Sequence, residues 1–129
     1  QVVAALAGVA ATHMMFGEAL FTPSDHARTG PSLWWSEFIA TFGLILVIRL
    51  SAHHSPNAVP LTVAAYITAA YWFTASTSFA NPAVTIARSL TPTFPGIRPD
   101  GIVGFIIAQA TGAIVATKLA AWIVGTHKK

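Results

Sequence analysis

The chain has 129 residues, 54% of them hydrophobic and 9% charged, with a formal net charge of +3 and a mean hydropathy of +0.64. A soluble domain carries about a quarter charged residues, so this composition reads as an integral membrane protein. The seven Lys and Arg form no basic run beyond Lys128-Lys129, which argues against nucleic-acid binding, and the absence of cysteine excludes disulfides, thiolate metal sites and cysteine nucleophiles. Gln1 leads straight into apolar sequence without an initiator Met or a basic leader region, so no cleavable signal peptide is evident. That abrupt start reads as a fragment of something longer.

A helix that crosses the hydrocarbon core needs about 20 mostly apolar residues. Four segments meet that length in chain order: Val2 to Phe21, Trp34 to Leu50, Ala58 to about Ser76, and Ile102 to Val124. The first carries Ala4, Gly8 and Thr12 at a spacing of four; the last carries Gly104, Ala108, Gly112, Ala116 and Ala120. Small residues at that spacing let backbones approach in lipid, which predicts a tight bundle. Trp34, Trp35 and Trp122 near the span ends suit interfacial anchors. Four successive crossings place Arg49, His53, His54 and Lys128-Lys129 on one side, which the positive-inside rule makes cytoplasmic. Arg28 and Arg98 fall on the other side, with Asp25 and Asp100 beside them. The run from Gln1 to Gly8 is similar to that from Gln109 to Ala116, a hint of the internal repeats common in channels and transporters.

The connection from Thr77 to Gly101 is too long and too apolar for a simple surface loop. Within it lies SFANPAVTIARSL, Ser78 to Leu90. Asn81 is a favoured helix N-cap and Pro82 a favoured first helical residue, so a helix from Pro82 to about Leu90 is expected. It would be roughly 13 Å long, under half of the ~30 Å hydrocarbon thickness. Such a piece is tolerated in a membrane only when buried in protein or lining a watery cavity, so residues 77–101 read as a re-entrant unit. Its free N–H groups and the Asn81 amide would offer donors to the oxygen of a passing solute and oppose cations. Glu37, ionisable inside an apolar span, is expected to point inward and accept N–H groups from the re-entrant loop. Arg88 follows Val84 by four residues and Asn81 by seven, so it lies near the same helix face, about 6 Å further along the half-helix. It either supplies a cation to a vestibule, or snorkels and bonds loop carbonyls. His13 and Glu18 do not make a metal site, His53-His54 reads as a hydrated turn or a pH gate, and Tyr66, Tyr71, Trp72 and Phe73 read as packing. No His-Glu or Ser-His-Asp constellation suggests an enzyme, and no cofactor is implied.

Asn81-Pro82-Ala83 between two spans, Glu37 in SEFIATFGL and AQATGA from Ala108 to Ala113 together resemble the aquaporin and glycerol-facilitator family, the major intrinsic proteins. The resemblance covers essentially the whole chain and matches the family's helices three to six. It implies a single channel domain over 1–129, all-α in a right-handed membrane bundle of four spans with a re-entrant half-helix. Helices one and two and the first Asn-Pro-Ala loop of the family are missing. Asn81, Pro82 and Ala83 would form one of two tips at the pore constriction. The family's outer filter usually has an Arg directly after the second Asn-Pro-Ala, and here that position is Val84; Ala69 and Ser78 occupy two further filter positions. These residues imply a wide, weakly charged filter, with Arg88 in the vestibule and Glu37 as a structural buried acid. The implied function is passive permeation of small neutral solutes: glycerol and polyols, water, and arsenous acid or related metalloid hydroxides. The implied setting is a multi-pass homotetramer in the cell (inner) membrane, with lipid and solute as partners. Two other classes remain open: a secondary transporter, which would need an ion site with Glu37 as its acid, and a non-conducting or truncated scaffold.

Overall fold

The structure, a computed structural model, describes residues 1–126 and contains five α-helices and two short 3-10 turns among them. In chain order they are α1 (Val2–Phe16), α2 (Pro31–His54), a 3-10 turn at Pro56–Ala58, α3 (Val59–Phe73), α4 (Pro82–Arg88), a second 3-10 turn at Pro99–Gly101, and α5 (Ile102–Thr126). Lys128 and Lys129 lie outside the described residues.

Local chemistry sets most of these ends. Pro31 opens α2 at a position where its missing N–H is not needed, and Gly30 before it has φ 117, a conformation open to glycine. Ser55 ends α2 because Pro56 disfavours helical geometry in the residue before it. Gly17 ends α1 with φ 70, a left-handed cap whose N–H returns to the carbonyl of His13. That cap stops α1 at Phe16, five residues short of the expected Phe21. Likewise α3 stops at Phe73, where Thr74 turns extended, rather than at about Ser76.

The early stops change the count of long helices. Among the described residues, only α2, with 24 residues, and the continuous stretch Pro99–Gly125, with 27, are long and apolar enough by themselves to cross a membrane. At 15 residues each, α1 and α3 reach about 22 Å, short of the ~30 Å core. The two long helices keep most of their apolar surface outward: 22% and 28% of their most hydrophobic windows is buried. A core helix of a soluble domain would bury far more.

The architecture is built on α2 and α5, which run parallel and in contact over their length. Near their starts, Trp34 lies against Gly104. At mid-length, Gly112 meets the backbone of Phe38 and Phe42. Near their ends, Arg49, Ala52 and His53 line one cavity with Ala120, Ala121 and Val124. Ala108, Ala116 and Ala120 of the small-residue row are buried in this seam, as the spacing predicts. The row on α1 behaves differently: Ala4, Gly8 and Thr12 are exposed, and nothing lies within 4 Å of where a Gly8 side chain would start. Tyr66 fixes α3 to α2 by donating its hydroxyl to the carbonyl of Ala40 at 3.0 Å, beside the bare backbone of Gly43. A small cluster of Phe79, Ile97 and Phe105, with Leu33 and Val84 against it, joins the segment 77–101 to α5 and the start of α2.

The seam makes a testable distinction between glycines of one helix. A methyl group at position 112 would sit 2.6 Å from the Phe38 carbonyl oxygen, whereas one at 125 meets nothing within 4 Å. Gly112→Ala should therefore destabilise the protein by about 1–3 kcal/mol and Gly125→Ala should not, as read from unfolding midpoints in detergent.

Candidate functional site

The half-helix α4 is seven residues long, about 10 Å, and ends at Arg88 rather than near Leu90. Asn81 is its N-cap, and its side-chain oxygen accepts from the Ala83 N–H at 2.8 Å. That bond orients the amide: the oxygen faces the helix, and the NH₂ group is left with no protein acceptor among the described residues. Asn81 is partly exposed, Pro82 exposed and Ala83 buried. The tip therefore turns the Asn81 oxygen toward the helix and leaves its NH₂ donors unengaged.

Three residues in the loop before the tip, Thr77, Ser78 and Ala80, have φ of 62, 46 and 47, left-handed geometry that L-residues seldom adopt. Such geometry costs on the order of 1 kcal/mol or more per residue and needs compensation. Glu37 supplies it. Fully buried on α2, its two carboxylate oxygens accept the Phe79 N–H at 2.8 Å and the Ala80 N–H at 2.9 Å. Gln109 of α5 donates from one NH₂ group to Glu37 at 2.7 Å and to the Thr85 hydroxyl at 2.9 Å. Thr85 in turn donates to the Asn81 carbonyl at 3.0 Å. A continuous polar chain thus runs from α2 through α5 into the first turn of the half-helix. One residue back, the Ser36 hydroxyl accepts the Ser76 N–H at 3.1 Å and adds a second tie between α2 and the loop.

The far end of α4 is held by two segments, the connection from Gly17 to Gly30 and the stretch that follows α4 up to Ile97. Ile97 N–H donates to the Arg88 carbonyl and Ser24 N–H to that of Ser89, so two carbonyls at the helix end are satisfied. Arg28 completes this layer by donating to the carbonyls of Gly96 and Phe94 at 2.8 Å each and of Ser76 at 3.3 Å. Bonding of loop carbonyls, one of the two roles expected for Arg88, is performed by Arg28 instead. Arg88 rests over the Phe79 ring, 4.4 Å from its centroid, and has no hydrogen-bond acceptor among the described residues. His13, fully buried at the end of α1, bridges the Ala19 carbonyl at 2.7 Å and the Thr91 hydroxyl at 2.9 Å. Because a carbonyl only accepts, Nδ1 of His13 carries a proton. Nothing in the sequence distinguished His13 or Arg28 from ordinary polar residues near helix ends. Their partners lie 78 and 48–68 residues away.

The residues matched to filter positions are distributed unevenly. Val84 and Arg88 line one cavity of about 290 Å³ between α1 and α4. Ser78 is buried in the left-handed loop, its hydroxyl without a partner. Ala69 lies on an exposed face of α3 and does not line the cavity that holds Val84.

Removing the carboxylate should release the loop. Glu37→Ala leaves the Phe79 and Ala80 N–H groups without their acceptor and the Gln109 amide with only the Thr85 hydroxyl, a loss on the order of 3 kcal/mol. The amides of Phe79 and Ala80 should lose hydrogen-exchange protection in that variant, while amides in the α2–α5 seam stay protected. Gln109→Leu combined with Glu37→Ala should cost less than the sum of the two single changes, because they break one network.

No protein-family model matches the chain, and no solved structure gives a significant match. Among curated proteins, the aquaglyceroporin AqpS of Rhizobium meliloti (strain 1021) is 52% identical over 124 residues. The match takes in 96% of this chain and 53% of that protein, so the chain spans about half the length of the relative it matches. Identity at this level along nearly every residue described above marks common descent. The chain is an aquaglyceroporin homologue of the major intrinsic protein family.

Proposed function

We propose that this chain forms one half of a passive transmembrane channel for small neutral solutes. The observation that carries the reading is the Asn81 tip: a half-length helix, anchored to α2 and α5 by Glu37, Gln109 and Thr85, whose partly exposed amide has its NH₂ donors unengaged. Donors held in place at a membrane-embedded tip bind the oxygen of water or of a hydroxylated solute and repel cations. In this reading the chain makes four crossings of a right-handed, aquaporin-like bundle, α1 and α3 doing so with their flanking turns. The 3-10 turn at Pro56–Ala58 already lengthens α3. A second tip comes from the rest of a longer protein, as the half-length match to AqpS suggests.

The constriction is then lined by Asn81, Pro82 and Ala83, and the outer filter by Ala69, Ser78 and Val84. With Val84 where the family usually has Arg, the filter is wider and less polar, which favours glycerol, small polyols and uncharged metalloid hydroxides such as arsenous acid alongside water. The setting is a homotetramer, multi-pass in the cell inner membrane. A secondary transporter would need an acid free to take up a coupling ion, and both Glu37 oxygens already accept protein N–H groups. A non-conducting scaffold would give no reason for a tip with unengaged donors.

Stopped-flow flux into proteoliposomes made with the full-length protein tests the proposal. Water, glycerol and arsenous acid should all enter faster than into empty vesicles, without dependence on a sodium or proton gradient. Gradient-dependent, saturating uptake would instead mark a transporter. Val84→Arg should lower glycerol and arsenous acid flux by about tenfold or more, some 1.4 kcal/mol of added barrier, and water flux much less. Equal loss of all three solutes would remove Val84 from the filter.

A further inference from the structure

Two guanidinium groups approach the same ring, Phe79, and they are bonded in opposite ways. Arg28, 5.6 Å from the ring centroid, has all three of its nitrogens bonded to backbone carbonyls. Arg88, at 4.4 Å, has none so bonded: its Nη1 is enclosed without an acceptor, and its Nε and Nη2, the nitrogens left to meet a ligand in the cavity, also lack one among the described residues. A guanidinium within a membrane protein that lacks an acceptor is costly, and such groups mark ligand or ion sites by default. The cost is raised here by Arg28, since both cations sit within 6 Å of one ring centroid.

What Arg88 faces indicates what it would take. The cavity it lines with Val84 also includes Thr12, His13, Thr91 and Thr93, and no acidic residue lines it. Thr91 is held by His13 at 2.9 Å and by Thr93 at 2.9 Å, so the hydroxyl side of the cavity is ordered. A guanidinium presents paired donors that match the two oxygens of a carboxylate, and the charge-assisted bonds are about twice as strong as bonds to neutral hydroxyls. The rest of the wall is mostly apolar, from Ala5, Val9, Val84, Ala87 and Pro95, with the threonine hydroxyl oxygens as its polar points, which suits a short carbon chain bearing few further polar groups. At about 290 Å³ the cavity has room for a three-carbon molecule.

We propose that Arg88 forms an oxyanion site in the cavity beside Val84 that takes the carboxylate of a small hydroxy acid. The inference rests on the channel reading only in placing this cavity at the outer mouth, where it would add recognition of acids to a filter that has lost its own Arg.

Glycerate, which is glycerol with one end oxidised to a carboxylate, is the probe. Its binding to the purified full-length protein is read by titration calorimetry at low ionic strength. Wild-type protein should bind glycerate more tightly than glycerol, and Arg88→Gln should weaken glycerate binding about tenfold or more. Arg88→Lys should be intermediate, because the charge remains without the planar fork. Arg98→Gln removes an equal charge from an exposed pair with Asp100 and should bind like wild type. No glycerate binding by the wild type, equal weakening in Arg98→Gln, or unchanged binding in Arg88→Gln would overturn the site. If Arg88→Gln does not fold, Arg88→Lys against Arg98→Gln carries the same comparison. Vesicle flux separates the two ideas. Glycerate binding without any solute flux defeats the channel and leaves the site, and glycerol flux without glycerate binding does the reverse.

Discussion

One buried carboxylate governs this structure. The loop that delivers Asn81 to its position is built from residues in left-handed geometry, three of them without the freedom of glycine. A loop of that kind inside an apolar bundle would have unmatched N–H groups as well as backbone strain. Glu37 answers both needs at once, since the same φ values that strain the chain turn the Phe79 and Ala80 N–H groups toward its two oxygens. Without an acceptor of that strength, the half-helix would have no fixed depth and the tip no fixed orientation.

The carboxylate can do this only because the helices around it are held close. Gly112 and the alanines in register with it let α5 approach the backbone of α2, and that approach brings Gln109 within 2.7 Å of Glu37. The seam and the network are therefore one arrangement. Small residues set the distance between two helices, and the polar side chains in the gap hold the loop and α4. Lipid supplies no hydrophobic drive between helices, so close packing and internal hydrogen bonds carry the assembly.

Much of this was legible in the sequence, for identifiable reasons. The two longest helices follow from unbroken apolar runs, and the small-residue row on α5 marked the seam. Asn81-Pro82 marked a helix start through cap chemistry that operates over two residues. Glu37 stood out because an acid inside an apolar run is tolerated only when it faces inward and is paired. Local signals also misled. The apolar run from Val2 to Phe21 gave no warning that Gly17 would cap α1, because hydropathy does not register a left-handed φ. The matching row of small residues on α1 had the spacing of a packed face, yet among the described residues it is exposed, with Gly8 and Thr12 bordering a cavity instead of a helix seam. Arg28 and Arg88 carry the same side chain in similar surroundings of proline and threonine. Their opposite bonding depends on which carbonyls fold back toward them, and no local pattern encodes that.

The polar lock spans a long stretch of chain. Glu37 and Gln109 are separated by 72 residues, with the re-entrant loop between them. The α2–loop part of the lock needs only residues 36–80, since both Glu37 oxygens already accept the Phe79 and Ala80 N–H groups. The Gln109 bond comes from the last helix in the chain, and so α5 is the closing piece that fastens the first turn of α4 through Thr85.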